Sequence, residues 1–396
     1  MKTIVVVGAS LAGHHAARTL RHLGFDGTLV VIGAEPHHPY DRYPLSKAFL
    51  IGDTDRSSLD LVDPGADVSW RLGAEATGVD LFRRVVALDD RTEVSFDGLV
   101  VASGARPRDS DTIEGVAGAF VLRTVEDADR LRRALTGRGG RVVVVGGGLI
   151  GAEIASTAVG FGHETTLVDS GDVPTSRSLG LPVAGHVLAL HRRAGVRVIP
   201  RLRAARLDHS HGRVTGVLLA DRTRIPADIV VMATGTKPNV GWLETASLDV
   251  RDGLACGPSL HALGNDRVVG AGDAVRAPHP LLRGELVRTE HWASAIDQAT
   301  LAATNLLHGT TCSWRAMPRF GTTIHGAGIR AVGFPPLANR SQVLWGAIGT
   351  ETAVVALFRG NTPVAAVSLN AADRLDDHAN ALWPSLDHRG PNHRRS

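Results

Sequence analysis

A chain of 396 residues is longer than one hydrophobic core sustains, so two or three domains are expected. Its 43% apolar content and 45 glycines suit an α/β protein with many tight turns, and a formal net charge of only +3 gives no reason to invoke nucleic acid. Cys256 and Cys312 form no CxxC or zinc-spaced set, and no run of about 18 uncharged apolar residues occurs, so no dithiol centre, metal site or membrane span is expected.

The opening "MKTIVVVGAS" enters a strand at once and leaves no room for a signal peptide, which suggests a reducing, cytoplasmic location. "TIVVVGASLAGHHAARTLRHLGFDGTLVVIGAE" (3–35) reads as strand, glycine turn, helix, strand. Its motif is Gly8-x-Ser10-x-x-Gly13, in which serine is small enough for the backbone to approach a pyrophosphate. Glu35 ends the second strand, where a carboxylate accepts ribose hydroxyls. "PYDRYPLSKAFL" (39–50) follows, a charged loop-to-helix segment without cysteine. "GLVVASGARPR" (98–108) then reads as a strand closing this sheet.

"RVVVVGGGLIGAEIASTAVGFGHETTLVDS" (141–170) repeats the first pattern with the complete motif Gly146-x-Gly148-x-x-Gly151. Asp169 ends its second strand, and no Arg or Lys follows before Arg177. A carboxylate there accepts a free ribose 2′-hydroxyl and repels a 2′-phosphate, which favours NAD over NADP. "DIVVMATGTKPN" (228–239) mirrors 98–108. Two different nucleotide sites are read as one for a tightly held flavin and one for a mobile nicotinamide. "DRVVGAGDAVRAPHP" (266–280) then places Asp273 at a strand end, able to bond the ribityl or pyrophosphate part of FAD. The helix near Glu290-His291-Trp292 would aim its N-terminus at the flavin pyrimidine, with Trp292 over the ring. Past Ser313, short β-rich runs suggest a small α+β terminal domain. The expected division is 1–107 with 237–308 for FAD, 108–236 for NAD, 309–385 for the C-terminal domain and 386–396 as a flexible tail.

Taken together, "GASLAG", "PYDRYPLSKAFL", "VLRTVEDADRLR" (121–132), "VVVVGGGLIGAE" (142–153), "GAGDAVRAPHPLL" (270–282) and "EHWASAIDQ" (290–298) resemble the FAD-dependent, NADH-using ferredoxin reductases, in the same order over about the first 310 residues. The resemblance implies a glutathione-reductase-like α/β fold: two Rossmann-like nucleotide-binding domains and a small α+β C-terminal domain. It implies hydride transfer from NADH to FAD, then single electrons to a ferredoxin or similar small iron–sulfur protein serving a haem monooxygenase or a ring-hydroxylating dioxygenase. Carried over by position, it puts FAD contacts on Gly8, Ser10, Gly13, Glu35, Arg42, Lys47, Ala76, Arg123, Asp273 and Trp292. It puts NAD contacts on Gly148, Ile150, Gly151, Glu153, Asp169 and Gly235, and makes Lys47 and Glu153 a pair beside the flavin and the nicotinamide.

The chain departs from the resemblance at Tyr43, at Val173, where an Arg often stands, and at Gly321 and Thr323, which replace a Trp and an Asp near the flavin. The last departure keeps two other readings open: an NADH oxidase or diaphorase using oxygen or a small acceptor, and an NADH-sensing flavoprotein with an interaction role.

Overall fold

The computed structural model describes residues 1–386 apart from 63, 64, 66, 110, 138, 310 and 311. Of the tail set apart in the sequence, all but Leu386 lies outside the described residues. The two Rossmann-like sheets and the small C-terminal α+β unit expected from the sequence are present.

The first sheet has five parallel strands in the order Val268–Gly270, Gly98–Val101, Thr3–Val7, Thr28–Gly33 and Val68–Leu72. Ile4, Val5, Val6 and Leu99 to Val101 are sealed from solvent, as β-branched runs in a strand covered on both faces should be. Helix α1 (Leu11–His22) follows the first glycine turn, and α2 (Ala48–Ile51) is a single turn inside the 39–50 segment.

The second sheet is parallel too, ordered Arg197–Ile199, Glu164–Val168, Arg141–Val145, Ile229–Met232 and Ala119–Phe120. Helix α3 (Val125–Leu135) turns Val125, Ala128, Leu131 and Leu135 inward at helical spacing. A capping box starts it: the Thr124 side chain accepts the Asp127 N–H, and the Asp127 carboxylate accepts the Thr124 N–H. Helices α4 (Leu149–Gly160) and α5 (Ser176–Arg193) complete this unit, with α5 kinked at Gly180 just before Pro182. Strands Ala105–Pro107 and Thr236–Pro238 pair antiparallel where the chain passes between the two sheets.

Helix α6 (Trp292–His308) packs beside α1. The C-terminal sheet is antiparallel, ordered Arg319–Ile324, Ala327–Gly333, Thr362–Leu369, Thr352–Arg359 and Arg340–Ala347, with α7 (Ala372–Leu382) against it. Among the described residues no helix is long and apolar enough to cross a membrane.

One packing detail positions the site. Tyr40, Leu45, Phe49 and Leu50 are buried not with the first sheet but with Leu131 and Leu135 of α3, Val142 and Val144 of the second sheet, and Ile154 of α4. The apolar residues of 39–50 thus anchor this segment in the second core, and its polar residues face the gap between the two sheets.

Candidate functional site

The first glycine turn is built for close approach. A Cβ on Gly13 would lie 1.7 Å from the Gly8 carbonyl oxygen, so only glycine lets α1 start this near the strand. Ser10 is the N-cap of α1, yet its hydroxyl makes no capping bond and instead accepts Arg42 Nε at 3.0 Å. No acid sits in the first turn of α1, so its free N–H groups and dipole present an undiluted positive end.

Glu35 lies just past the second strand. Its carboxylate accepts the Tyr40 hydroxyl at 2.5 Å and is ion-paired with Arg42. The Tyr40 oxygen in turn accepts the Val125 N–H and Arg42 Nη1, each at 3.1 Å. Burial pushes the Tyr40 phenol well above its ordinary range, so it remains a donor to Glu35. Arg42 also donates to the Arg123 carbonyl at 2.8 Å, and Arg123 pairs with Asp273 at 2.8 Å.

Two cavities meet over the N-terminus of α1. The first, about 800 Å³, is lined by Gly8, Glu35 and Asn239 among others. The second, about 680 Å³, is lined by Lys47, Ile150, Glu153, Asp273 and Trp292 among others. Ser10, Arg42, Ala102, Gly104 and Arg123 line both, so the two form one long cleft. Trp292 begins α6 and donates its indole N–H to Asp41 at 3.1 Å. Burial pushes the neighbouring His291 imidazole down to about 4, with Asp273 opposing, and the neutral ring stacks on Phe320 at 4.5 Å.

At the far end of the cleft, Lys47 Nζ lies 2.9 Å from Glu153 Oε1. Glu153 is 4% exposed and Lys47 19%. The carboxylate has two further partners: the Ser46 hydroxyl on one oxygen and the Thr322 hydroxyl, at 2.5 Å, on the other. A buried carboxylate needs such saturation to remain in place. Its three partners come from the 39–50 segment and the C-terminal sheet, and the carboxylate itself from α4. Among 43 basic residues only Lys2, Lys47 and Lys237 are lysines, and Lys47 is the one enclosed in the cleft.

The second glycine turn has the same build. Gly148 is the N-cap of α4, and a Cβ on Gly151 would lie 1.9 Å from the Gly146 carbonyl oxygen. Asp169 borders this turn: a Cβ on Gly147 would lie 2.8 Å from its Cγ. Gly235, just before the strand Thr236–Pro238, sits beside Arg108: a Cβ there would lie 3.6 Å from Arg108 Nε. Neither cavity includes Gly148, Gly151, Asp169 or Gly235, while Ile150 of α4 reaches into the second cavity. Ala76 is buried in the first core and lines neither cavity.

Tyr40, Ser46 and Thr322 escape a motif reading. Tyr40 and Ser46 stand within the quoted 39–50 segment, next to charged residues that draw more notice. Thr322 has no sequence signal: it lies between Gly321 and Thr323, and of these three it alone is buried against Glu153.

Two parallel sheets, each with a glycine turn and an acid beyond its second strand, joined by a long cleft lined by both acidic and basic side chains, define a two-site dinucleotide-dependent oxidoreductase. Residues 2–299 match the family described as pyridine nucleotide-disulphide oxidoreductase. Putidaredoxin reductase of Pseudomonas putida is 33% identical over 340 residues, 83% of this chain and 80% of that protein. The ferredoxin–NAD(+) reductase component of the biphenyl dioxygenase system of Paraburkholderia xenovorans is 34% identical, over 84% of this chain and 81% of its own. Among solved structures, that of the covalent putidaredoxin reductase–putidaredoxin complex superposes with a TM-score of 0.90 at 30% identity, covering 99% of this chain and 95% of that one. The chain belongs to the pyridine nucleotide-disulphide oxidoreductase family and is an oxidoreductase.

Proposed function

We propose that this chain takes hydride from NADH and passes single electrons to a ferredoxin or similar small iron–sulfur protein that serves a haem monooxygenase or a ring-hydroxylating dioxygenase. Its cofactors are FAD and NAD(H). When bound, the flavin accepts a two-electron hydride and returns electrons one at a time. The observation that carries the reading is the enclosed Lys47–Glu153 pair at one end of a cleft that no cysteine lines. The absence of cysteine from the cleft lining fits an outer-sphere carrier as acceptor rather than a thiol relay. The relatives named above are reductases of putidaredoxin and of a dioxygenase's ferredoxin, which supports this acceptor class.

The residues present fit both cofactors. Gly8 and Gly13 let a diphosphate reach the free N–H groups of α1, and Ser10, Arg42 and Arg123 supply donors beside them. Glu35, already oriented by Tyr40, has lone pairs left for ribose hydroxyls. Asp273, positioned by Arg123, and Trp292 border the ring end. Lys47 would supply a positive charge to offset the negative charge of a reduced ring, and Glu153 would balance it and help orient the nicotinamide amide. Gly148, Gly151 and Gly235 shape the NAD site, Ile150 borders it, and Asp169 selects against a 2′-phosphate. In this reading Ala76, buried in the first core, is the remaining FAD contact.

The strand crossings at 105–107 and 236–238 support domains of 1–107 with 237–308, 108–236 and 309–385. Two free cysteines and no long apolar helix among the described residues support a cytoplasmic location.

Stopped-flow mixing of the flavoprotein with NADH should bleach the flavin, and cytochrome c reduction should accelerate only when a ferredoxin is added. Failure to bleach sinks the reading; fast oxygen consumption without ferredoxin transfers it to an oxidase. NADPH outperforming NADH would contradict the role of Asp169.

A further inference from the structure

Tyr43 belongs to neither glycine turn, yet it closes on Lys47 from two sides. The ammonium lies 4.0 Å from the centroid of the Tyr43 ring and 3.4 Å from the Tyr43 carbonyl oxygen. Glu153 takes the remaining direction at 2.9 Å. A lysine ammonium has three donors, and each here meets a carboxylate, a carbonyl or an aromatic face.

The ring is held in that place. Asp41 Oδ1 accepts the Tyr43 N–H at 2.9 Å and the Trp292 indole N–H at 3.1 Å, which ties these two aromatic residues to one carboxylate. Room for the phenol comes from the C-terminal sheet: a Cβ on Gly321 would lie 3.5 Å from the Tyr43 hydroxyl, so a larger side chain there competes for the same space. Burial, and then the nearby Glu153 carboxylate, push the Tyr43 phenol up, so the ring stays neutral. Tyr43 is 43% exposed and lines the cleft beside Lys47, Glu153 and Gly321, an outer cover over an inner pair.

We propose that Tyr43 is a positioning residue for Lys47: its ring face holds the ammonium against Glu153 and shields the pair from water, and the bare Gly321 admits it. The inference deepens the hydride-transfer reading and rests on it for its functional consequence. It is specific in its residues: an aromatic ring is required at 43, a hydroxyl is not, and position 321 must stay small.

The test uses the purified full-length flavoprotein and limited acetylation with acetic anhydride, read by mass spectrometry. The chain has only three lysines, so Lys2 and Lys237 serve as internal references. In Tyr43→Leu, acetylation of Lys47 relative to Lys237 should rise roughly tenfold, because the cation loses its aromatic face and the amine its cover. Tyr43→Phe should match wild type. Gly321→Leu should raise Lys47 labelling as Tyr43→Leu does, and the double variant should show no further increase, the signature of a shared mechanism. In parallel, the NADH-driven bleaching rate should fall in Tyr43→Leu while the Kd for NAD(+) stays within about twofold, a split expected when geometry rather than binding is lost. Wild-type Lys47 labelling in Tyr43→Leu, or an effect of Tyr43→Phe equal to that of Tyr43→Leu, overturns the proposal. If wild type itself fails to bleach, the hydride-transfer reading falls, and the labelling alone still decides whether Tyr43 positions Lys47.

Discussion

Replacing Lys47 by arginine keeps the charge and loses the shape. The site holds a compact ammonium between a carboxylate at 2.9 Å and a ring face at 4.0 Å, and a planar guanidinium spreads its charge over a wider fork. In a chain where nearly every basic residue is arginine, lysine at 47 is therefore a chemical choice. Lys47→Arg should leave FAD content near wild type and slow flavin bleaching about 100-fold, the scale of a roughly 1 Å misplacement of a reacting group. Lys47→Ala should do more. It strands Glu153 in a nearly closed pocket with only the Ser46 and Thr322 hydroxyls, and removing one partner of a buried ion pair costs about 3 kcal/mol. Urea unfolding of the two variants separates these effects. Equal stability losses would show that the pair is not insulated from water as the geometry indicates.

Between residue and fold stands α3, which carries more of the site than its sequence announces. Its first turn supplies the Val125 N–H to Tyr40, and the residue before its cap, Arg123, meets Asp273. Loss of the cap in Thr124→Ala should lower stability by about 1 kcal/mol. It should also speed FAD release, measured by the recovery of free-flavin fluorescence on dilution. Unchanged release would mean that Arg123 and Tyr40 hold their places without the cap. The same element shows what sequence can and cannot carry. The glycine turns, Glu35 and Asp169 are legible because their spacing is local: strand, turn, helix and strand follow each other within about 35 residues. Only the resemblance pairs Lys47 with Glu153, because the contact spans 106 positions, which no periodicity encodes. Burial of Phe49 and Leu50 in the second core is equally silent, because an apolar run does not say which core will receive it. At 321–323 attention falls on the two altered positions, while the residue that reaches Glu153 is the ordinary-looking threonine between them.

At the scale of the molecule, the interfaces between units carry buried neutral histidines. His191 of α5 contacts His325, in the turn between the first two strands of the C-terminal sheet, at 2.9 Å, and the Ser156 hydroxyl of α4 accepts the His325 N–H. His279 lies against Trp314 and Phe334, where the C-terminal unit joins the first sheet. Burial pushes His191 and His279 each down to about 4, with His325 adding to the effect on His191. Both are almost fully enclosed. In the unfolded chain such imidazoles titrate near 6.5. Above that value both states are neutral and the stability is fully present. Between about 6.5 and 4 only the unfolded chain takes up protons, so stability falls with pH through that window. The full drop is on the order of 3 kcal/mol per histidine, reached below the folded value. The urea midpoint should therefore fall from pH 7.5 to pH 5 by more than surface carboxylates explain, since the carboxylates titrate mostly below this window. His191→Gln cannot be protonated, so it should flatten the profile between pH 6.5 and 5 while lowering stability at pH 7.5. A slope unchanged by this substitution would place the acid sensitivity elsewhere. The outcome bears on function as well, because Thr322 reaches Glu153 from the edge strand Arg319–Ile324, which ends one residue before His325. If acid loosens the His191–His325 contact first, Thr322 withdraws from Glu153, and flavin bleaching by NADH should slow below pH 6 before FAD is lost.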